Sequence, residues 1–277
     1  MARCAVQSSG SGPTDMRKVA IIAALEREVS GITASCRPVE QPYDGRSFVF
    51  FERDDMVIVC GGIGVEAARR AAEAAVALYS PALLQSVGFA GALDESLCVG
   101  DIFVPMIVID ARDGSRIEIE GAADSRRERR SLVTFPEVAG AQQKASLAQA
   151  YGAQAVDMEA AGVAAAARAH GIAFGAMKVI SDELNFEMPE MARFIDPNGR
   201  FKSANFAAYV ALRPKLWSRT AKLAANSGKA ARVLSEHLEH YHRELRRPSD
   251  SIPAPSAATQ PELHPVAASR LHARGRE

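Results

Sequence analysis

The chain carries no net charge, since 33 lysines and arginines balance 33 aspartates and glutamates. That leaves no global electrostatic case for nucleic acid as a partner. No apolar stretch approaches the roughly 20 residues that a membrane span requires. Hydrophobic residues make up 48% of the chain, but much of that share is alanine. Cysteine is scarce: Cys4, Cys36, Cys60 and Cys98 show no CxxC spacing. Residues 1–15 are Ser/Gly-rich, without the apolar core of a secretion signal. The thiols therefore read as free in a reducing compartment, and the expected location is the cytoplasm. Gly62-Ile63-Gly64 has neither the third glycine nor the downstream acid of a dinucleotide fingerprint, which argues against a dinucleotide oxidoreductase. His237, His240 and His242 match no standard ligand spacing. They are interleaved with Glu236, Glu239 and Arg243, so a solvated helix face is expected and no metal.

What is present fits one sizeable α/β domain, expected over residues 16–247. Residues 1–15 and the Pro/Ser/Ala-rich tail 248–277 read as disordered. Buried strands are predicted at Lys18–Ala24, Leu83–Gly88, Asp101–Ile109, Leu132–Phe135, Ala153–Asp157 and Phe174–Ile180. Ser47–Glu52 and Met56–Cys60 flank Arg53-Asp54-Asp55 as a hairpin. Helices are predicted at Glu26–Ser35, from Gly64 to about Tyr79, at Gln142–Tyr151 and at Met158–His170, with helical pattern again from about residue 203. Beyond Pro214, a residue suited to a first helical turn, Leu216, Leu223, Leu234, Leu238, Tyr241 and Leu245 recur at roughly helical spacing. The β/α alternation predicts three layers. Residues 111–130 are highly charged, ending in Arg126-Arg127-Glu128-Arg129-Arg130.

Three carboxylates stand at ends of apolar strands: Glu28 after the first, Glu159 after Ala153–Asp157, and Asp182 after Phe174–Ile180. Ionised carboxylates are costly there unless paired or used. Ligands of open α/β sheets bind at the carboxyl ends of strands, so the pattern suggests acid–base chemistry on a small molecule. The residues also admit plainer roles. Ser181 and Asp182 are usual helix caps. Either Asp157 or Glu159 suits a first helical turn. Glu26-Arg27-Glu28 suits a solvated face, and Gly62-Ile63-Gly64 a tight strand–helix turn.

Six motifs occur in order: Ala24-Leu25-Glu26-Arg27-Glu28-Val29, Gly62-Ile63-Gly64, Gly88-Phe89-Ala90-Gly91, Val99-Gly100-Asp101, Val156-Asp157-Met158-Glu159-Ala160 and Ile180-Ser181-Asp182. Over residues 17–182 the chain thereby resembles the purine nucleoside phosphorylase/methylthioadenosine nucleosidase superfamily. Phe194-Ile195-Asp196-Pro197-Asn198-Gly199-Arg200 and the helix after Arg213-Pro214 resemble its hopanoid-associated phosphorylase branch.

The resemblance implies a three-layer α/β/α fold with a mixed central sheet, a small nucleoside substrate, a homo-oligomer and no cofactor. It also implies roles. Asp182 matches the general acid that protonates the leaving purine, which requires a buried setting favouring its neutral form; Ser181 would orient it. Glu159 matches the ribose binder and Met158 the residue under the sugar. Glu28 matches the carboxylate that activates water, and Phe135 the aromatic that stacks on the purine. Gly62, Gly64, Ala90 and Gly91 belong to the matching substrate-binding motifs. The expected reaction is hydrolysis of an N-glycosidic bond. The Gly-Asp-Pro-x-Arg phosphate motif does not occur. Phosphorolysis, with phosphate as co-substrate, is the alternative, and a non-catalytic nucleoside-binding protein is an alternative of another class.

Two departures bear on the substrate. Phe89 stands where nucleosidases commonly carry a small polar residue. The segment between Asp101 and Ser131 is shorter than the one that closes their 5′ pocket. Phe89 would narrow or dry the sugar pocket, and the shortened segment leaves a more open 5′ end, which suits a bulky substituent, as on an adenosylhopane-like nucleoside. The basic stretch with Arg213, Lys215, Arg219, Lys222, Lys229 and Arg232 admits either peripheral membrane contact or an ordinary packed helix.

Overall fold

The computed structural model describes residues 18–119 and 130–245. The expectations for residues 1–15 and 248–277, and for the charge run 126–129, lie outside these residues.

The first apolar run forms β1 (Val19–Ala23), buried at every position. It is followed by α1 (Glu26–Thr33), β2 (Arg37–Tyr43), β3 (Arg46–Arg53), β4 (Met56–Cys60), α2 (Val65–Tyr79) and β5 (Leu83–Ala92). Next come β6 (Ile102–Phe103), β7 (Ile107–Asp110), β8 (Arg116–Glu118), β9 (Ser131–Thr134), α3 (Ala141–Tyr151), β10 (Ala155–Asp157), α4 (Ala160–His170) and β11 (Ala173–Asp182). α5 (Ser203–Ala211) and α6 (Trp217–Leu245) complete the order, with a 3-10 turn at Pro214–Leu216 leading into α6. Pro214 sits in that first turn, where its missing N–H costs nothing.

The 11 strands among the described residues belong to one mixed sheet, with the path β2-β3-β4-β1-β5-β10-β9-β7-β8 and β11 joining β5 to β6. β5 changes partners along its length. It runs parallel to β1 at Leu83–Ser86, antiparallel to β10 at Gly91–Ala92, and parallel to β11 throughout.

The pleat sorts β1 into two cores. Ala20 and Ile22 face α2 and α4, with Phe50, Val57 and Val59. Val19, Ile21 and Ala23 face α1 and α6, against Val29, Ile32, Leu234 and Leu238. Burying each Ile or Val is worth ~1.5–3 kcal/mol, far more than any local propensity, so these strands hold the middle layer. The alanines of α2 let it sit close to the sheet: Ala71, Ala72, Ala74 and Ala75 are all fully buried.

One strand is new and two expectations are corrected. β2 was not expected; it carries Pro38 and Pro42 and lies at the sheet edge, where proline is tolerated. The run Asp101–Ile109 is two strands, not one. It breaks at Pro105, so that β6 pairs with β11 and β7 with β9. His242 is not on a solvated face: it is buried, with Nε2 3.6 Å from the Asp54 carboxylate.

Candidate active site

The carboxyl ends of β1, β5, β10 and β11 converge on one cavity of about 480 Å³. Leu25 and Glu28 line it from the start of α1. Phe89, Ala90 and Gly91 line it from β5, Asp157, Met158 and Glu159 from the β10–α4 junction, and Ser181 and Asp182 from the end of β11. The three strand-end carboxylates are therefore brought together.

Asp182 is buried where β11 shifts register against Gly91. Ser181 Oγ donates to Asp182 Oδ1 at 2.7 Å, the orienting contact expected of it. The other carboxylate oxygen meets the ammonium of Lys144, from α3, which is itself 1% exposed. Lys144 also donates to the Glu183 carbonyl at 2.7 Å. Sequence reasoning missed this pair, and it alters the expected setting: Asp182 sits in a buried ion pair with Lys144 and does not stand alone.

A second buried network lies beside it. Asp157 accepts from Thr134 Oγ1 at 2.7 Å and from the Ala160 N–H at 2.8 Å, so it, and not Glu159, caps α4. Its ion pair with Lys178 Nζ spans 2.9 Å. Lys178 also donates to Ser86 Oγ at 3.0 Å. Burial pulls the Lys178 ammonium down, but Asp157, Glu159 and Glu28 together outweigh it and leave it raised.

Glu159, released from capping, accepts from the Gly64 N–H at 2.9 Å and the Met158 N–H at 3.2 Å. Burial first, and the Asp157 charge second, push its carboxyl up to about 8 against the pull of Lys178. Glu28 is buried against β5, where a Cβ on Gly88 would lie 2.8 Å from its Oε2. Burial pushes its carboxyl up to about 7, against the opposing Lys178 charge. It is not on the solvated face that its charge run allowed.

Three predicted site residues are not cavity-lining. Phe135 packs with Leu93, Ile107, Val133 and Val156, just past the end of β9; Val138 and Ala139 face the cavity instead. Gly64 acts through its N–H on Glu159. Gly62, at φ 105°, allows a close backbone approach, but to the chain's own Asn198 carbonyl, 3.0 Å from where a Cβ would stand. Next to it the Ile63 N–H donates to the Gly199 carbonyl at 2.8 Å, tying the 195–201 loop to the α2 entry.

That loop, the segment 188–191 before it and the C-terminal helices supply a half of the cavity that sequence reasoning did not assign: Met188, Met191, Ile195, Phe201, Phe206 and Leu223. The site is thus polar and acidic at the strand ends and apolar toward α5 and α6.

A family model described as "Phosphorylase superfamily" matches residues 18–137 and 134–211. The chain belongs to the phosphorylase superfamily. As an enzyme of this superfamily it shares its fold with several solved structures. An Arabidopsis thaliana 5′-methylthioadenosine nucleosidase in apo form aligns with a TM-score of 0.64 at 15% identity, over 84% of this chain and 97% of the other. A Helicobacter pylori futalosine hydrolase aligns with a TM-score of 0.57 at 18% identity, over 81% and 98%. A Colwellia psychrerythraea methylthioadenosine/S-adenosylhomocysteine nucleosidase in complex with adenine aligns with a TM-score of 0.52 at 22% identity, over 61% and 85%. No curated protein matches this superfamily member.

Proposed function

We propose that the protein hydrolyses the N-glycosidic bond of an adenosine-type nucleoside carrying a large apolar group at its 5′ position. The observation that carries this reading is the convergence of Glu28, Glu159 and Asp182 at one end of a cavity whose other end is apolar.

Water attacks the anomeric carbon as the bond to the purine breaks and its electron pair moves onto the base. Glu28 takes the proton from water. A carboxyl near 7 is half ionised at neutral pH, which suits a general base. Glu159, with its carboxyl near 8, binds the ribose hydroxyls, and its ionised form stabilises positive charge growing on the sugar. Asp182 delivers a proton to the departing base. The nearest proton-bearing group to Asp182 is the Lys144 ammonium, which we assign as the source.

Water is favoured over phosphate because this end of the cavity has few free cations for a dianion. Among the described residues its lining acids are Glu28, Glu137, Asp157, Glu159 and Asp182, and its lining cations are Lys144 and Arg27. Lys144 is already committed to Asp182, which leaves Arg27 to meet a phosphate. The apolar end supports a hydrocarbon 5′ substituent, as on an adenosylhopane-like substrate.

The test compares two leaving groups. Adenine needs a proton to depart, whereas p-nitrophenolate does not. Asp182→Asn and Lys144→Met should lower kcat for adenine release by about a hundredfold or more. Both should leave cleavage of a p-nitrophenyl riboside largely intact. Equal losses on both substrates would remove Asp182 and Lys144 from proton delivery.

A further inference from the structure

The most hydrophobic stretch of the C-terminal region is not in the core. Seven of the nine residues of α5 are apolar, yet none is buried. Leu212, just after it, is 80% exposed, and Trp217, at the start of α6, is 54% exposed. Trp217 is not a stray ring on the surface: its indole N–H donates to the Val210 carbonyl at 3.0 Å, fixing it against α5. Leaving Leu212 and Trp217 in water forgoes the gain from burying large apolar side chains, so the face needs something to cover it.

Charge narrows the choice. Residues 203–235 contain no aspartate or glutamate and six lysines and arginines, in a chain whose net charge is zero. Arg213, Lys215, Arg219 and Lys222 all fall beside Leu212 and Trp217, and all four are exposed. Arg213 lies over the Tyr209 ring, 3.7 Å from its centroid. The nearby acid Glu190 is held by Arg193 and the Tyr209 hydroxyl at 3.0 Å each. A two-fold contact between copies would set this cationic face against itself. An anionic bilayer satisfies both features, because the lipid interior takes the apolar side chains while long basic side chains reach the headgroups. From α6 residue Leu223 onward the other expectation holds: Leu223, Ala230, Leu234 and Leu238 are buried as an ordinary packed stripe.

We propose that α5, the Leu212–Leu216 turn and the first two turns of α6 form a face that docks on an anionic lipid bilayer. Ser203 and Phe206 of α5, and Thr220, Leu223 and Ala224 of α6, also line the cavity. Docking therefore places the apolar end of the cavity beside the membrane. The proposal does not depend on the reaction assigned above, and its test needs no turnover.

Trp217 is the chain's one tryptophan, so intrinsic emission reports on this face alone. The full chain is titrated with vesicles of phosphatidylglycerol and phosphatidylcholine in equal parts, and with phosphatidylcholine vesicles. The expected result is a blue shift and co-sedimentation with the anionic vesicles, weakened by salt. Arg213→Glu/Lys215→Glu removes two basic residues and should weaken binding about thirtyfold or more, with an unchanged melting temperature confirming the fold. Absence of a shift and of sedimentation with anionic vesicles would overturn the proposal. So would equal binding by the double variant. A blue shift that grows with protein concentration in the absence of lipid would assign the face to a second copy instead.

Discussion

At the residue scale, the acids of the site divide by what each is bonded to. Asp157 is held by Thr134, Ala160 and Lys178, and its work is structural. Glu159 is thereby free to face the cavity. Glu28 carries the sharpest pH signature. Its folded carboxyl, near 7, lies above the ordinary value of 4.5, so the native state keeps a proton that the unfolded chain releases between those values. Its contribution to stability is complete below about 4.5 and is lost as pH rises through about 7. Glu28→Gln, which mimics the neutral acid, should therefore become more stable than the wild type above pH 7, by a gap on the order of 3 kcal/mol. The same variant should lose hydrolysis, while the wild-type rate rises with pH through about 7. Melting curves across pH check the first statement; a pH-independent gap would show that burial of Glu28 carries no such cost. Glu28, Glu159 and Asp182 were legible in the sequence as strand-end acids. Lys144 and Lys178 were not, because a lysine in an Ala-rich helix or an apolar strand gives no local sign of its buried partner. Those partners lie 38 and 21 residues away in the chain.

At the element scale, the strands that carry the site were legible because burial on both faces makes them continuous apolar runs. Their terminal acids followed from the same boundaries. Pro105 breaks a run that looked continuous, whereas β2, with its two prolines, is an edge strand that no apolar pattern marked. The 195–201 loop was not placed by any periodicity, since its position depends on a long-range bond to Ile63. Gly199 tests that anchor. At φ 77°, with a Cβ position 2.4 Å from the Ile63 carbonyl oxygen, it cannot accept a side chain without moving the loop. Gly199→Ala should cost roughly 2 kcal/mol or more and raise KM for nucleosides with apolar 5′ groups more than for adenosine. Gly228→Ala, mid-helix with open space around it, should instead leave stability unchanged or raise it by up to about 1 kcal/mol. Chemical denaturation of both variants distinguishes them; equal effects would mean that the loop is not anchored at Ile63.

At the scale of the whole molecule, the three-layer α/β architecture was readable from β/α alternation, and the order of six motifs carried the family. The two-sided character of the cavity was not readable, because its apolar half comes from segments that follow Asp182 and fold back over the strand ends. That half separates the substrate proposed here from a small nucleoside. The most direct measurement is release of the free base from a panel of adenosine, methylthioadenosine, S-adenosylhomocysteine, inosine and a 5′-alkylated adenosine, each with and without phosphate. Adenine release, with the 5′-alkylated adenosine the best substrate, free ribose-type product and no dependence on phosphate, is the predicted result. Release from none of the panel would contradict N-glycosidic cleavage, and a ribose 1-phosphate product formed only with phosphate would contradict water as the nucleophile.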